Sequence, residues 1–265
     1  MPHNSPFPYI IAEIGASHDG SLTRAHTLIH DAAQAGVQAV KFQIYDTDRL
    51  CARRNAEPYR RKYAQYQVPL EWLKDLRDTA HQFQVDLVLS VYDTQDLDAV
   101  QGYADQLKVA SFEAGDFGLI QACVATGKPV IVSTGMSGEA DMLRLRLSCK
   151  MLGNVSLLHC VSAYPARMGD LNLSVIKHYR LDGFSDHSRN VLTGALAVSH
   201  GAKIVEVHLR GEDTPSDNPD YPHALTGSEL ATYVFFAHQA HAAVGERQRK
   251  IYPCEMGNTA YKVRS

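Results

Sequence analysis

Eight short apolar runs alternate with amphipathic stretches along 265 residues, and this alternation predicts an α/β fold, a closed parallel (β/α)8 TIM barrel. Three observations carry the prediction. Most of the runs are continuously apolar, as expected of strands covered on both faces. Several stretches between them stop at a glycine, at Gly36, Gly127, Gly153 and Gly201, where a helix end favours the residue that tolerates a left-handed backbone. A last amphipathic stretch, Ser228–Val244, follows the eighth run. The count of eight and that closing helix favour a barrel over a doubly wound open sheet.

The predicted strands are Tyr9–Gly15, Ala39–Tyr45, Asp86–Tyr92, Gln106–Phe112, Pro129–Gly135, Val155–Val161, Leu181–Phe184 and Ile204–Leu209. The predicted helices include Leu22–Ala35, Leu70–Phe83, Phe117–Thr126, Ala140–Leu152 and Val191–His200. Two stretches lack clear periodicity. Asp46 to Val68 follows strand two and carries Arg49, Arg53, Arg54, Arg60, Arg61 and Lys62, whereas Arg210 to Thr226 follows strand eight and is rich in Asp and Pro. Long loops in a compact domain are usually functional, and loops after barrel strands open on the catalytic face. No repeat or linker divides the chain, so one domain is expected over 1–265, with a tail from about 246.

A net charge of −3 gives no support to a nucleic-acid or anionic-membrane surface. No apolar run approaches the roughly 20 residues that cross a bilayer. Met1 to Pro8 lacks the features of a secretory signal. Five cysteines without metal-type spacing read as free thiols, and the expected location is the cytoplasm.

The polar residues at the strand ends indicate chemistry. Strand one ends in Glu13, and strand two carries Lys41 and Gln43, alternate residues that point the same way. Strand four ends near Ser111 and Glu113. Strand five is preceded by Lys128 and ends in Ser133-Thr134. Strand six gives His159, then Ser162 and Tyr164; strand seven ends in Ser185-Asp186-His187; strand eight holds Glu206 and His208. Charges inside apolar strands are costly without partners or ligands. Lysines, carboxylates and histidines at one mouth suit a small, multiply anionic substrate and a metal ion, since imidazole is a common ligand for Mn, Fe or Zn. Each residue also has a plainer reading. Lys41 could pair with Glu13, His187 could cap a loop, and His208 could be a satisfied core histidine. His159-Cys160 resembles a zinc pair, although neighbouring strand residues face opposite ways. The arginine-rich stretch could be a solvated surface.

Six ordered blocks sharpen the picture: Ile11-Ala-Glu-Ile-Gly-Ala-Ser-His-Asp-Gly-Ser, Gly36-Val-Gln-Ala-Val-Lys-Phe-Gln, Gly127-Lys-Pro-Val-Ile-Val-Ser-Thr-Gly-Met, Leu157-Leu-His-Cys-Val-Ser-Ala-Tyr-Pro, Phe184-Ser-Asp-His-Ser and Val205-Glu-Val-His. From about Tyr9 to Leu230 the sequence resembles the sialic acid synthase family, which includes the legionaminic and pseudaminic synthases. The resemblance implies metal-dependent condensation of phosphoenolpyruvate with an open-chain sugar aldehyde, giving a 2-keto-3-deoxy acid and phosphate. It implies phosphoenolpyruvate contacts at Lys41, Ser111, Lys128, Ser133, Ser162 and Ser185. It implies a divalent metal, Mn2+ or Mg2+, on His187 and His208. Glu13, Gln43, Tyr164 and Asp220 are then the groups around the sugar and the reacting carbons.

The sequence departs from the family pattern in three places. Family members commonly continue into a small antifreeze-like domain that lends an arginine to the neighbouring subunit of a homodimer, and this sequence stops about where its linker would begin. Strand eight reads Glu206-Val207-His208 where Glu-Lys-His is usual, so one positive charge is missing, and the loop from Arg210 to His223 differs from the usual signature. These departures predict a remodelled acceptor site and a non-standard aldehyde, with the arginine-rich stretch able to recognise a phosphate or nucleotide on it. Two other functions remain open: a metal-dependent aldolase or sugar isomerase, which needs the histidines but not phosphate-directed lysines, and a non-catalytic binding barrel.

Overall fold

The computed structural model describes residues 7–246 and 249–263; positions 1–6 of the N-terminal segment, 247–248 and the final two residues of the tail lie outside the described residues. Eight parallel strands close into a barrel in sequence order: β1 (Tyr9–Glu13), β2 (Ala39–Ile44), β3 (Asp86–Val91), β4 (Gln106–Val109), β5 (Val130–Ser133), β6 (Val155–Cys160), β7 (Gly183–Asp186) and β8 (Ile204–His208). The helices are α1 (Leu22–Gln34), α2 (Thr47–Arg54), α3 (Arg60–Tyr66), α4 (Leu73–Gln82), α5 (Thr94–Val100), α6 (Phe117–Ala125), α7 (Glu139–Leu152), α8 (Ser174–His178), α9 (Thr193–Ser199) and α10 (Gly227–Val244). The predicted barrel is the observed fold. No described helix is long and apolar enough to cross a membrane.

Strand alternation sorts side chains between two cores. Tyr9, Ile11, Ala39, Val88, Ile131, Leu158 and Ile204 pack together inside the barrel, whereas Ile10, Val40, Leu89, Val132, Phe184 and Val207 belong to the larger core shared with the helices. The register sets Glu13 beside both Lys41 and His208, and Ser90 beside both Gln43 and Lys108. The inward rows therefore turn from apolar to charged towards the C-terminal ends of the strands. Val207 faces the outer core, so its substitution for the usual lysine removes no charge from the barrel interior. The expectation of a missing charge at the acceptor site is corrected on this ground.

The Asp46–Val68 stretch is not irregular, because it holds α2 and α3. Asp46 caps α2, its side chain accepting from Arg49 N at 3.0 Å, and Asn55 ends the helix with φ +50°. Only Thr47, Leu50 and Cys51 of α2 are buried. So short an apolar face gives little periodic signal, and the cap is the surviving clue. Strand four is shorter than predicted, since residues Ser111–Glu113 turn into a single 3-10 turn.

Candidate active site

The charged rows meet at the barrel's C-terminal mouth. Lys41 Nζ lies 2.6 Å from Glu13 Oε2 and 3.6 Å from Glu206 Oε2, and donates to Ser90 Oγ at 3.1 Å. Lys108 Nζ lies 3.6 Å from Glu206 Oε1, an oxygen that also accepts from Ser185 Oγ at 2.8 Å. Gln43 Nε2 donates to Glu13 Oε1 at 2.7 Å. Two ammonium and two carboxylate groups are thus interleaved and buried. Burial works against the charge on Lys41, but Glu13 and Glu206 hold its pKa above the ordinary lysine value. Lys108 falls below that value, because burial and the charge of Lys41 outweigh the help of Glu206. Glu206 is held at about 2 against its own burial by the two lysines. The structural ion pair expected as the plainer reading of Lys41 is present, within a larger cluster.

Beside this cluster lies an arc of hydroxyls. Ser111 Oγ accepts from Gly135 N at 3.0 Å. A Cβ on residue 135 would meet Ser162 Oγ at 2.2 Å and Ser111 Oγ at 2.8 Å, so glycine lets both serines close on that backbone. Ser133 Oγ is buried with no hydrogen-bond partner, which is costly unless a ligand supplies one.

The third element is imidazole-rich. His187 Nδ1 lies 2.9 Å from Val161 O; a carbonyl only accepts, so Nδ1 carries the proton and Nε2 keeps the lone pair. The His187 and His208 ring centroids are 5.3 Å apart. The Tyr164 ring packs on His187 at 4.3 Å and His223 at 5.1 Å. Asp220 Oδ1 lies 3.6 Å from His208 Nδ1 and 3.5 Å from His223 Nε2. Ligand atoms of His208, Asp220 and His223 all fall within 4.8 Å of one another. Burial opposes ionisation of Asp220, yet His208 and His223 keep its pKa below the usual carboxylate value. The same burial, with the neighbouring His208 charge, pushes His223 down to about 3.

The loop after β8 reaches this position because it is fastened to the loop after β1. Asp220 Oδ2 accepts from Ala16 N at 2.7 Å, and Asn218 Nδ2 donates to Ala16 O at 3.0 Å. Gly15, with φ +50°, makes room, since a Cβ there would meet Asp220 Oδ2 at 2.3 Å. Between these loops and α3 opens a cavity of about 240 Å³ lined by Gln43, Tyr45, Tyr59, Lys62, Tyr63, Tyr66 and Asp220, among others.

Glu13, Lys41, Gln43, Ser111, Ser133, Ser162, Tyr164, Ser185, His187, His208 and Asp220 are therefore all found about the mouth. Lys128 is not. It precedes β5, and its Nζ donates to Ala104 O at 2.7 Å, ahead of β4, at the opposite end of the barrel. The second ammonium group is Lys108. Its signal was strand parity: it lies level with Ser90 and Ile131, which face inward, three residues before Ser111. His223 was also missed, in a loop without period. His159 takes no part, because its Nε2 is bonded to Leu171 O at 2.7 Å. Four arginines of the arginine-rich stretch are held by carboxylates, while Lys62 lines the cavity. Arg49 pairs with Asp93 and Asp96, Arg53 with Asp116, Arg54 with Glu113, and Arg60 with Asp48 and Glu57.

A barrel with buried lysines, a buried hydroxyl without a partner and clustered imidazoles at its C-terminal face has the architecture of an enzyme that binds small anions. Comparison with known proteins gives the family. The NeuB family model matches residues 28–249. A pseudaminic acid synthase from Campylobacter jejuni is 31% identical over 258 residues, covering 90% of this chain and 75% of that protein. The crystal structure of an N-acetylneuraminic acid synthetase from Leptospira borgpetersenii, in complex with citrate, superposes with a TM-score of 0.89 at 26% identity, over 96% of this chain and 91% of that one. The spore coat polysaccharide biosynthesis protein SpsE of Bacillus subtilis gives 0.79 at 31% identity, over 90% and 69%. The chain belongs to the NeuB family and is an enzyme, a phosphoenolpyruvate-dependent sugar-acid synthase.

Proposed function

We propose that the enzyme joins C3 of phosphoenolpyruvate to the aldehyde carbon of an unphosphorylated sugar, at the site assembled from Lys41, Lys108, the serine arc and the imidazoles. The observation that carries this reading is the juxtaposition of two buried lysines with the orphaned Ser133 hydroxyl. Such a site is built for a ligand bearing both carboxylate and phosphate. Lys41 and Lys108 hold its charge and fix the enol face, with Ser111, Ser162 and Ser185 as further donors. The imidazoles fit a divalent metal, because His187 Nε2 and the nitrogens of His208 have no proton-donating role in the fold. A bound cation would supply Lewis acidity to the aldehyde oxygen. Bond formation leaves a cationic carbon bearing the phosphate. Water adds there, Glu13 takes one of its protons, and as the carbon–oxygen bond to phosphate breaks the second passes to the alkoxide formed at the former aldehyde oxygen, leaving the 2-keto group, a hydroxyl and phosphate. Gln43 orients Glu13 through their 2.7 Å bond.

The acceptor reading rests on the adjacent cavity. Four tyrosines line it and Lys62 is its one lining cation, while Arg49, Arg53, Arg54 and Arg60 are held by carboxylates. Such a wall suits a neutral sugar with acylamino or other apolar substituents stacked on rings. The test is phosphate release from phosphoenolpyruvate with Mn2+ and a panel of sugar aldehydes. Release that requires both an aldehyde and the metal is expected, fastest with unphosphorylated acylamino sugars. Aldehyde-independent release, or none across the panel, would refute the condensation. Faster turnover of a phosphorylated acceptor would refute only the acceptor class.

A further inference from the structure

We propose that Asp220 and His223 bind the cation directly with His208, adding to the strand-end histidines, and that the centre prefers first-row transition ions to Mg2+. This rests on the condensation reading only in placing a metal at the mouth. Family resemblance implies a centre on His187 and His208, whereas the ligand atoms that cluster here are those of His208, Asp220 and His223.

The separations decide between two accounts of the cluster. His208 Nδ1 and His223 Nε2 stand 3.6 and 3.5 Å from the same carboxylate oxygen, Asp220 Oδ1. These spans are too long for charge-assisted hydrogen bonds, which close to about 2.7–2.9 Å. They match the edge of a tetrahedron whose ligands sit about 2.1 Å from a metal, which is roughly 3.4 Å. His223 is 3% exposed, and neither of its ring nitrogens has a hydrogen-bond partner; nor has His208 Nδ1. Buried imidazole nitrogens are almost always paired, so two orphaned rings turned to one carboxylate oxygen point to a missing shared partner. A cation supplies it.

The surroundings fit ligand duty. Ala16 N donates to the other oxygen, Asp220 Oδ2, at 2.7 Å, fixing the carboxylate with Oδ1 towards the histidines. Asn218 Oδ1 accepts from Asp220 N at 3.0 Å and holds the loop itself. Two nitrogens and one oxygen suit manganese, iron, cobalt or zinc, while magnesium prefers oxygen ligands and keeps its waters. Asp220 also lines the tyrosine cavity, so a cation on it borders the acceptor.

The test uses the chelator-stripped full chain, titrated calorimetrically with Mn2+ and Mg2+, and the absorption spectrum of its Co2+ complex. Expected are Mn2+ binding at least roughly 100-fold tighter than Mg2+, and a loss of Mn2+ affinity of at least roughly 10–100-fold in both His223→Ala and His223→Gln. The Co2+ spectrum should change in His223→Gln, whose retained melting temperature without metal shows that the fold persists. Mn2+ affinity within twofold of the parent in both variants, with an unchanged Co2+ spectrum, would overturn the ligand assignment. Equal affinity for Mg2+ and Mn2+ would overturn the metal preference. Aldehyde-dependent phosphate release by the unaltered enzyme, measured alongside, separates the two readings: release without His223-dependent affinity removes the ligand set alone, and His223-dependent affinity without release removes the condensation alone.

Discussion

At the N-terminal ends of the strands, polar side chains are closed on one another. Tyr9 Oη donates to Asp86 Oδ2 at 2.5 Å, Gln106 bonds to Tyr9, Asp105 Oδ2 accepts from Leu87 N at 2.8 Å, and Lys128 is spent on Ala104 O. At the C-terminal ends, buried groups are left open: Ser133 Oγ, His208 Nδ1 and both nitrogens of His223 have no hydrogen-bond partner. The two ends belong to the same barrel, and Tyr9 and Gln106 are as buried as the groups at the mouth. The difference is satisfaction. A satisfied polar layer holds the barrel closed, while an unsatisfied one is a standing cost to folding that a ligand removes.

The sharpest way to break that comparison is to remove one lysine from each end. Lys108→Met is expected to lower phosphoenolpyruvate turnover by roughly 10³-fold or more, as losing a preorganised charge does. Its melting temperature should fall, because the buried Glu206 loses the lysine that does most to hold it charged. Lys128→Met should stay within about twofold of the parent in turnover. Phosphate-release kinetics and thermal melts on both variants check this. Comparable activity losses in the two would show that the ends do not divide function as their hydrogen bonds do.

A smaller effect of the opposite kind is expected at the floor. Tyr9→Phe deletes the hydroxyl shared by Asp86 and Gln106 and leaves buried polar atoms short of a partner, at a cost of about 1–3 kcal/mol. Denaturant unfolding should show the loss, with the Michaelis constants unchanged. A fall in turnover at full stability would place the floor network in the catalytic machinery.

The same division explains what could be read in advance. The barrel was legible because eight continuous apolar strands and their glycine stops are local signals, and the motif blocks bring Glu13, Lys41, Gln43, His187 and His208 to one mouth through strand parity alone. Lys128 was misplaced because a lysine before a strand and one within it look alike until the direction of the barrel is applied; Val207 was misread because strand parity, which turns it to the outer core, was not applied. His223 and the tyrosines of α3 were invisible because their position depends on tertiary fastening. Ala16 is gripped by Asp220 and Asn218, some 200 residues away in sequence, and no periodicity encodes such a clasp. Composition alone could not sort the arginine-rich stretch, since Arg49, Arg53 and Arg54 pair with Asp93, Asp96, Asp116 and Glu113 of later loops while Lys62 reaches the cavity.

The unsatisfied character of the mouth extends to its rim, where the expected effect is smallest and depends on pH. Asp93 caps α5, its side chain accepting from Gln95 N and Asp96 N at 2.8 and 2.9 Å, and Arg49 pairs with both Asp93 and Asp96. Asp96 Oδ2 is buried without a partner. Burial, followed by the charge of Asp93, pushes the Asp96 carboxyl up to about 6 despite Arg49. An unfolded aspartate titrates near 3.9, so between about pH 4 and 6 the folded chain binds the extra proton, and stability falls as pH rises through that window. Asp96→Asn abolishes the titration. Its melting temperature relative to the parent should climb from pH 4 to pH 6 and then level off, whatever constant offset the amide brings. A difference that declines across the same window would mean that Arg49 governs the site and that the rim, unlike the centre of the mouth, is electrostatically closed.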